Sequence, residues 1–98
     1  MMVTLIGLIK SLDQSALSTY LSQVGQTVAL FDGKIISRGK TLEPFWNELN
    51  CPPFDSYVEV SFDSIERAQE WANSPNYQSL LPIRNHAMQV TFFGIDKA

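Results

Sequence analysis

The segment from Ile65 to Arg84 restricts the fold more than any other, because it joins two helical stretches through a sharp break. Apolar side chains recur in its first half at helical spacing, at Ile65, Ala68, Trp71 and Ala72. Ser74-Pro75 then places a capping side chain before a proline at the first position of a new helix. We predict a helix from Ile65 to about Asn73, followed by a shorter helical piece that is interrupted near Pro82.

The other periodic segments predict four strands and one long helix. The strands are Val3–Lys10, Lys34–Gly39, Ser56–Phe62 and Met88–Ile95, and the helix runs from about Asp13 to Phe31. The resulting order is that of the ferredoxin-like βαββαβ arrangement, an α+β fold with an antiparallel four-stranded sheet and helices on one face. Because 98 residues suit one domain of this size, we expect residues 1–98 to form a single domain.

Polar side chains and one glycine predict where the helices begin and end. Asp13 is placed to cap the first helix, and Asp32-Gly33 to end it with a left-handed glycine. Asp63 and Ser64 both offer caps for the second helix. Glu66 follows Asp63 by three residues, as in a capping box.

Three of the strands carry apolar side chains on both faces. The neighbouring pairs are Leu5 and Ile6, Ile35 and Ile36, and Phe92 and Phe93. Two helices cover only one face of a sheet, so the second face needs a cover from outside the chain. Another copy packed sheet to sheet is the simplest one, and we therefore predict a homodimer.

Composition argues against several classes of partner and site. Seven basic and ten acidic residues give a net charge of −3. The basic residues are scattered and form no stripe that could bind nucleic acid. We find no secretion signal and no stretch long enough to span a membrane, so we expect a cytoplasmic protein with no membrane partner. Cys51 is the only cysteine, and its place in a loop without a neighbouring base favours an incidental thiol.

The stretch from Lys40 to Asp55 has no periodicity but is rich in aromatic residues. Phe45, Trp46 and Phe54 lie among three prolines. A solvated linker would expose much apolar surface here, so we expect this loop to pack against something.

Two motifs resemble the family called domain of unknown function 1330. The residues are Trp71 to Gln78, reading WANSPNYQ, then Leu80 to Arg84 and Ala87, with Asp32-Gly33-Lys34 and Ser37-Arg38-Gly39 upstream. Members of that family typically show Trp, then Ser-Pro-Glu-Tyr-Gln, then Arg-x-x-Ala, and a Gly-Gly-Arg turn before an Arg-Gly. The resemblance implies a dimeric α+β barrel. That fold is also used by small monooxygenases, isomerases and decyclising enzymes that need no cofactor, and we accordingly expect none here.

The chain departs from that family pattern at three positions. Asp32 replaces the usual first Gly, Lys34 the usual Arg, and Asn76 the usual Glu. The last change removes a carboxylate, so an acid or base role at that position does not carry over.

Two arginines are the strongest candidates for binding a small organic ligand. The guanidinium groups of Arg38 and Arg84 can each hold a carboxylate or enolate in an apolar cavity. The alternative for Arg84 is structural, through an ion pair with Glu70 or bonds to carbonyls at a helix end. Tyr77 can offer its hydroxyl to the same ligand or be tethered within the core.

Trp71 and Glu59 complete the predicted ligand-binding set. Trp71 can form a platform for a ligand, although its helical register with Ile65 and Ala68 favours a core position. Glu59 lies on the polar side of a strand, and it is the best carboxylate for proton transfer if that side lines a cavity. Otherwise it is a surface residue.

A metal site and a catalytic histidine are both disfavoured. His86 is the only histidine, and no carboxylate or cysteine accompanies it at ligand or triad spacing, so we expect it to face solvent. No metal is assigned.

Two classes of function stay open. In the first, the protein binds a small organic molecule in a pocket between sheet and helices, with or without cofactor-independent catalysis, and Arg38, Arg84 and Tyr77 lie near the mouth of that pocket. In the second, it is a non-catalytic structural or regulatory homodimer whose aromatic loop around Trp46 contacts another protein. A cavity beside Arg84 would favour the first.

Overall fold

Four antiparallel strands and four helices make up the computed structural model, which describes residues 2–96. In chain order they are β1 (Val3–Ser11), α1 (Gln14–Ala29), β2 (Lys34–Lys40), β3 (Ser56–Phe62), α2 (Ile65–Asn73), α3 (Pro75–Gln78), α4 (Leu81–Ala87) and β4 (Met88–Ile95). The strand order in the sheet is β2-β3-β1-β4, and each neighbouring pair is antiparallel. The predicted ferredoxin-like α+β fold is confirmed.

The core lies between one face of the sheet and the helices. Val3, Leu5 and Ile9 of β1 point to this face, where Leu5 pairs with Val60 of β3 and with Gly94 of β4. These side chains join one buried cluster with the inner faces of α1 and α2. Because side chains alternate along a strand, the residues between them point to the opposite face.

The opposite face, which we call the open face, is only half covered in a single chain. Ile6 lies at its centre, with Glu59 beside it on β3 and Phe93 beside it on β4. Phe93 is 45% exposed. The expected apolar second face is therefore present.

Helix α1 begins as predicted but ends differently. Asp13 Oδ1 accepts a hydrogen bond from Ala16 N at 2.8 Å, which confirms the cap. At the other end Asp32, with φ of 60°, takes the left-handed conformation, whereas Gly33 does not. Gly33 is needed for packing instead, because a Cβ there would lie 2.5 Å from the Phe62 ring.

Helix α2 uses one of its two predicted caps. Ser64 Oγ accepts from Arg67 N at 3.1 Å, so Ser64 and not Asp63 is the cap. The predicted capping box is wrong because the third residue after Ser64 is an arginine, while Glu66 lies in the first turn without that role.

The break after α2 follows the predicted chemistry. Ser74 Oγ accepts from Tyr77 N at 3.1 Å and donates to Trp71 O at 2.8 Å, and Pro75 opens α3. The later interruption lies before Pro82, which sits in the first turn of α4 instead of breaking a helix. This last helix continues to Ala87, beyond the predicted range.

The loop of residues 41–55, which we expected to pack against something, lies against the sheet at its end, where Asp55 N donates to Ile9 O, but its aromatic tip is exposed in a single chain. Phe45 and Trp46 are 91% and 78% exposed. Their rings contact each other, with centroids 6.4 Å apart. Phe54, nearer the sheet, is half-buried.

None of the helices within residues 2–96 combines the length and apolar character needed to cross a membrane.

Replacement of Ser74 by alanine should lower the free energy of unfolding by about 1 kcal/mol, because Tyr77 N loses its capping acceptor. In a chain of this size that corresponds to a melting temperature lower by roughly 4–8 °C. Ser79→Ala is the matched control, since Ser79 Oγ bonds only Asn76 O on the exposed surface. Equal melting temperatures for Ser74→Ala and the wild type would contradict the assigned cap.

Light scattering after size exclusion should give twice the 11.0 kDa chain mass, because pairing of two open faces removes their apolar side chains from water. Leu8→Lys on the open face should then give a monomer, because pairing would bury its charge. Leu30→Lys is the control, since Leu30 follows α1 and is 59% exposed. A wild-type monomer at micromolar concentration would refute the sheet-to-sheet dimer.

Candidate functional site

A cavity of about 220 Å³ lies between α1 and the sheet, and we call it the α1 cavity. Most of its lining is apolar. Helix α1 contributes Leu17, Tyr20, Leu21, Val24 and Val28, and the sheet contributes Ile9, Ile35, Val58, Val60, Met88 and Phe92. Val28 and Val60 are buried, whereas Arg38 and Lys40 in the same lining are exposed. The cavity therefore runs from an exposed end of β2 into the core.

A bulge in β2 places these two cations on the cavity side. Ile35 pairs with Val60, but the next pair joins Ser37 to Glu59, so Ile36 is an extra residue. After this shift Arg38 pairs with Val58 on the helix-facing side of the sheet, and Lys40 follows it two residues later. Regular alternation from Ile35 would have turned both side chains to the open face.

The charged side chains at this end of the α1 cavity are all positive. Neither Arg38 nor Lys40 forms an ion pair within residues 2–96. No aspartate or glutamate is among the residues that line the cavity. An anionic group on a ligand would therefore meet two uncompensated cations.

A second cavity, of about 250 Å³, lies on the other side of the core and is called the α2 cavity. It is lined by Leu5, Ile65, Ala68, Gln69, Trp71, Ala72, Tyr77, Arg84, Phe92, Phe93 and Gly94. Trp71 and Phe92 line both cavities and so form part of the wall between them.

A chain of hydrogen bonds crosses the same wall. Arg84 Nη1 donates to the Tyr77 hydroxyl at 3.0 Å, and that hydroxyl lies 2.9 Å from the hydroxyl of Tyr20. Tyr20 lines the α1 cavity, whereas Tyr77 and Arg84 line the α2 cavity. Burial, with a further contribution from the neighbouring Tyr77, raises the pKa of Tyr20 well above its usual range, so this phenol stays protonated at neutral pH.

The two predicted arginines do not share one pocket. Arg38 lines the α1 cavity and Arg84 the α2 cavity, where a cavity does lie beside it. The predicted structural partner of Arg84 is wrong, because Glu70 pairs with Arg67 at 3.1 Å. Arg84 instead contacts Tyr77, through the hydrogen bond and with its guanidinium carbon 5.8 Å from the ring centroid.

The other predicted ligand-binding residues are also separated. Trp71 is 3% exposed and packed between Phe62 and Tyr77, the core position that its helical register favoured, although it also lines both cavities. Glu59 points to the open face, because its register partners are Ile6 and Ser37. It lines neither of the two cavities.

Sequence reasoning missed Tyr20 and Lys40 as possible ligand contacts. Tyr20 lies at helical spacing with Leu17, Leu21 and Val24, and this apolar pattern predicts an ordinary core residue. Its polar role depends on a partner 57 residues away, which no local pattern indicates. Lys40 was placed just beyond the predicted end of its strand.

His86 and Cys51 lie outside both cavities. The His86 side chain is 72% exposed, and its Nε2 lies 3.6 Å from Asp13 Oδ2. Cys51 is in the 41–55 loop, where its backbone N donates to Asn47 Oδ1. Across residues 2–96 no three His, Cys, Asp or Glu side chains are grouped as a metal site requires.

Asp55 anchors the end of the 41–55 loop beside the α1 cavity. Its carboxylate accepts three hydrogen bonds of 2.8 Å, from Ser11 N, Ser11 Oγ and Ser56 Oγ. Ser11 and Ser56 are themselves cavity-lining residues. The Ser11 backbone bond and the Ser56 hydroxyl bond lower the pKa of Asp55 from its ordinary value.

Asp55→Asn should destabilise the protein at neutral pH, and the difference from the wild type should shrink in acid. Because the pKa of Asp55 is lower in the folded than in the unfolded protein, its carboxylate stabilises the fold above the unfolded-state pKa of about 3.9. This stabilisation is lost as the pH falls through the folded-state pKa. Urea unfolding between pH 2 and 7 measures the difference in free energy of unfolding between the variant and the wild type. The exposed Asp63→Asn is the control, and a pH-independent difference for Asp55→Asn would argue against the carboxylate anchor.

Comparison with known proteins assigns the fold and a sequence family. A family model described as "Domain of unknown function (DUF1330)" matches residues 3–98. No curated protein sequence matches the chain.

Solved structures with this fold include proteins of unknown function and one oxygenase. A protein of unknown function from Rhodopseudomonas palustris has a TM-score of 0.78 at 13% identity, over 99% of this chain and 82% of that one. A dimeric ferredoxin-like protein of unknown function from Thermobifida fusca has a TM-score of 0.67 at 14% identity, over 97% of this chain and 90% of that one. The cofactor-independent oxygenase SnoaB from Streptomyces nogalater has a TM-score of 0.69 at 9% identity, over 99% of this chain and 93% of that one. At these identities the likeness shows the fold alone.

Proposed function

The chain belongs to the DUF1330 family, and we propose that it binds a small, mainly apolar organic anion in the α1 cavity. The observation that carries this proposal is an apolar cavity whose charged lining residues are two unpaired cations, Arg38 and Lys40. The dimeric fold of a structural neighbour supports a homodimer as the form in which the protein does so.

The shape of the site supports a ligand with an apolar body and a charged end. Buried side chains such as Val28 and Val60 cannot form hydrogen bonds, so the inner part of the cavity favours a ring or hydrocarbon group of the ligand. At the exposed end, Arg38 can bond a carboxylate with two nitrogens, whereas Lys40 provides a point charge.

The α1 cavity of one chain provides binding groups and no general base. No His, Cys, Asp or Glu lines it, and Tyr20 stays protonated at neutral pH. The proposal is therefore a binding function. Predicted proton transfer by Glu59 is not part of it, because that carboxylate points to the open face.

Titration with 2-naphthoate, a bicyclic aromatic carboxylate, tests the proposal. We expect saturable binding by calorimetry and a rise in melting temperature. A ligand present at a hundred times its dissociation constant stabilises the protein by about 2.7 kcal/mol.

Arg38→Gln combined with Lys40→Gln should weaken 2-naphthoate binding at least tenfold, because charge-assisted bonds to a carboxylate are lost. Lys34→Gln is the matched control, since Lys34 lies on the same strand and pairs with Ser61 on the open-face side. Lack of saturable binding, or equal affinity in the double variant, would refute the proposed anion site.

Exposure of Phe45 and Trp46 supports a second candidate function, contact with another protein through the 41–55 loop. A Trp71→Phe variant leaves Trp46 as the only tryptophan, so its fluorescence reports on the loop. Emission typical of exposed indole in the purified protein would support a loop free to bind another protein. Blue-shifted emission would contradict this candidate, because Trp46 would then be buried already in the purified protein.

A further inference from the structure

The hydrogen-bond chain between the two cavities has a direction that follows from donor counting. A guanidinium donates but cannot accept, so the Tyr77 oxygen accepts from Arg84. The Tyr77 proton or the Tyr20 proton then lies between the two phenol oxygens. A hydroxyl that accepts from a cation becomes a better donor, which favours the order Arg84 to Tyr77 to Tyr20.

In this order the proton of the Tyr20 hydroxyl is left without an acceptor. Within residues 2–96 the Tyr20 side chain has Tyr77 as its one hydrogen-bond partner. Tyr20 is 5% exposed, so bulk water does not readily supply an acceptor. A buried donor without a partner is unfavourable, and a bound molecule with an acceptor atom would relieve that cost.

From this arrangement we propose that Tyr20 donates a hydrogen bond to a carbonyl oxygen of the ligand in the α1 cavity, and that Arg84 is a positioning residue acting through Tyr77. The inference rests on the proposed function, because it concerns the same cavity. It narrows the ligand to compounds whose apolar body carries a ketone, quinone or similar oxygen.

Other features of the wall agree with this assignment. Tyr20 lines the α1 cavity whereas Tyr77 does not, so the unpaired donor belongs to the residue on the ligand side. The two rings meet edge to face, with centroids 6.4 Å apart, which restricts both hydroxyls. Burial is the main cause of the raised pKa of Tyr20, and it keeps the phenol protonated.

A matched pair of neutral probes separates this inference from cavity binding itself. Tetralin and 1-tetralone share a bicyclic body and differ by one carbonyl oxygen. Calorimetry gives the association constants of both probes, and their quotient is the tetralone-to-tetralin affinity ratio of each protein. Because the hydration of each free probe is the same for every variant, it cancels when this ratio is compared between variants. Tetralin binding by the wild type tests whether the cavity accepts an apolar body.

Tyr20→Phe should lower the ratio about tenfold and leave tetralin affinity unchanged, because it removes the hydroxyl and keeps the ring. Arg84→Leu should lower the ratio severalfold, and Arg84→Lys should restore part of it. Arg67→Leu is the control, since Arg67 pairs with Asp32 and Glu70 outside both cavities, and it should leave the ratio unchanged.

Any other result contradicts a specific part of the proposal. An unchanged ratio in Tyr20→Phe, with both probes bound, refutes the carbonyl donor and leaves the proposed cavity function standing. A lower ratio in Tyr20→Phe but not in Arg84→Leu refutes the role of Arg84. No binding of either probe by the wild type refutes the binding of an apolar body, and the inference with it.

Discussion

The indole of Trp71 connects the helices to the sheet, and the rest of the core depends on its contacts. Its ring centroid lies 4.3 Å from Tyr77 and 5.5 Å from Phe62, and its Nε1 donates to Thr27 Oγ1 of α1 at 3.0 Å. A buried indole N–H needs such an acceptor, so the bond fixes α2 relative to α1. With Phe92, the same ring lines both cavities.

Order of elements and local chemistry were predictable from sequence because both depend on neighbours along the chain. The period of apolar residues located the strands, and Ser74-Pro75 located the start of α3. Boundaries were less certain where two side chains competed for one role. Asp63 and Ser64 are both good caps, and only the path of the backbone selects Ser64.

The candidate site was less predictable because it depends on register and on distant contacts. One extra residue, Ile36, reverses which side chains of β2 face the helices, and nothing in its residue type indicates a bulge. Without that shift, Arg38 would share the open face with Glu59. Arg84 was expected near Arg38, yet the aromatic wall separates them.

A chain of hydrogen bonds connects side chains that line the two cavities. Removal of any member would leave a buried hydroxyl or the half-buried Arg84 guanidinium with fewer partners, so the three side chains form one unit and not three independent contacts. An anion beside Arg84 would compete with Tyr77 for the guanidinium, and the Tyr20 donor would then lose its polarisation. If Tyr20 binds a carbonyl oxygen as proposed, occupancy of the α2 cavity would therefore weaken that contact, although no backbone need move.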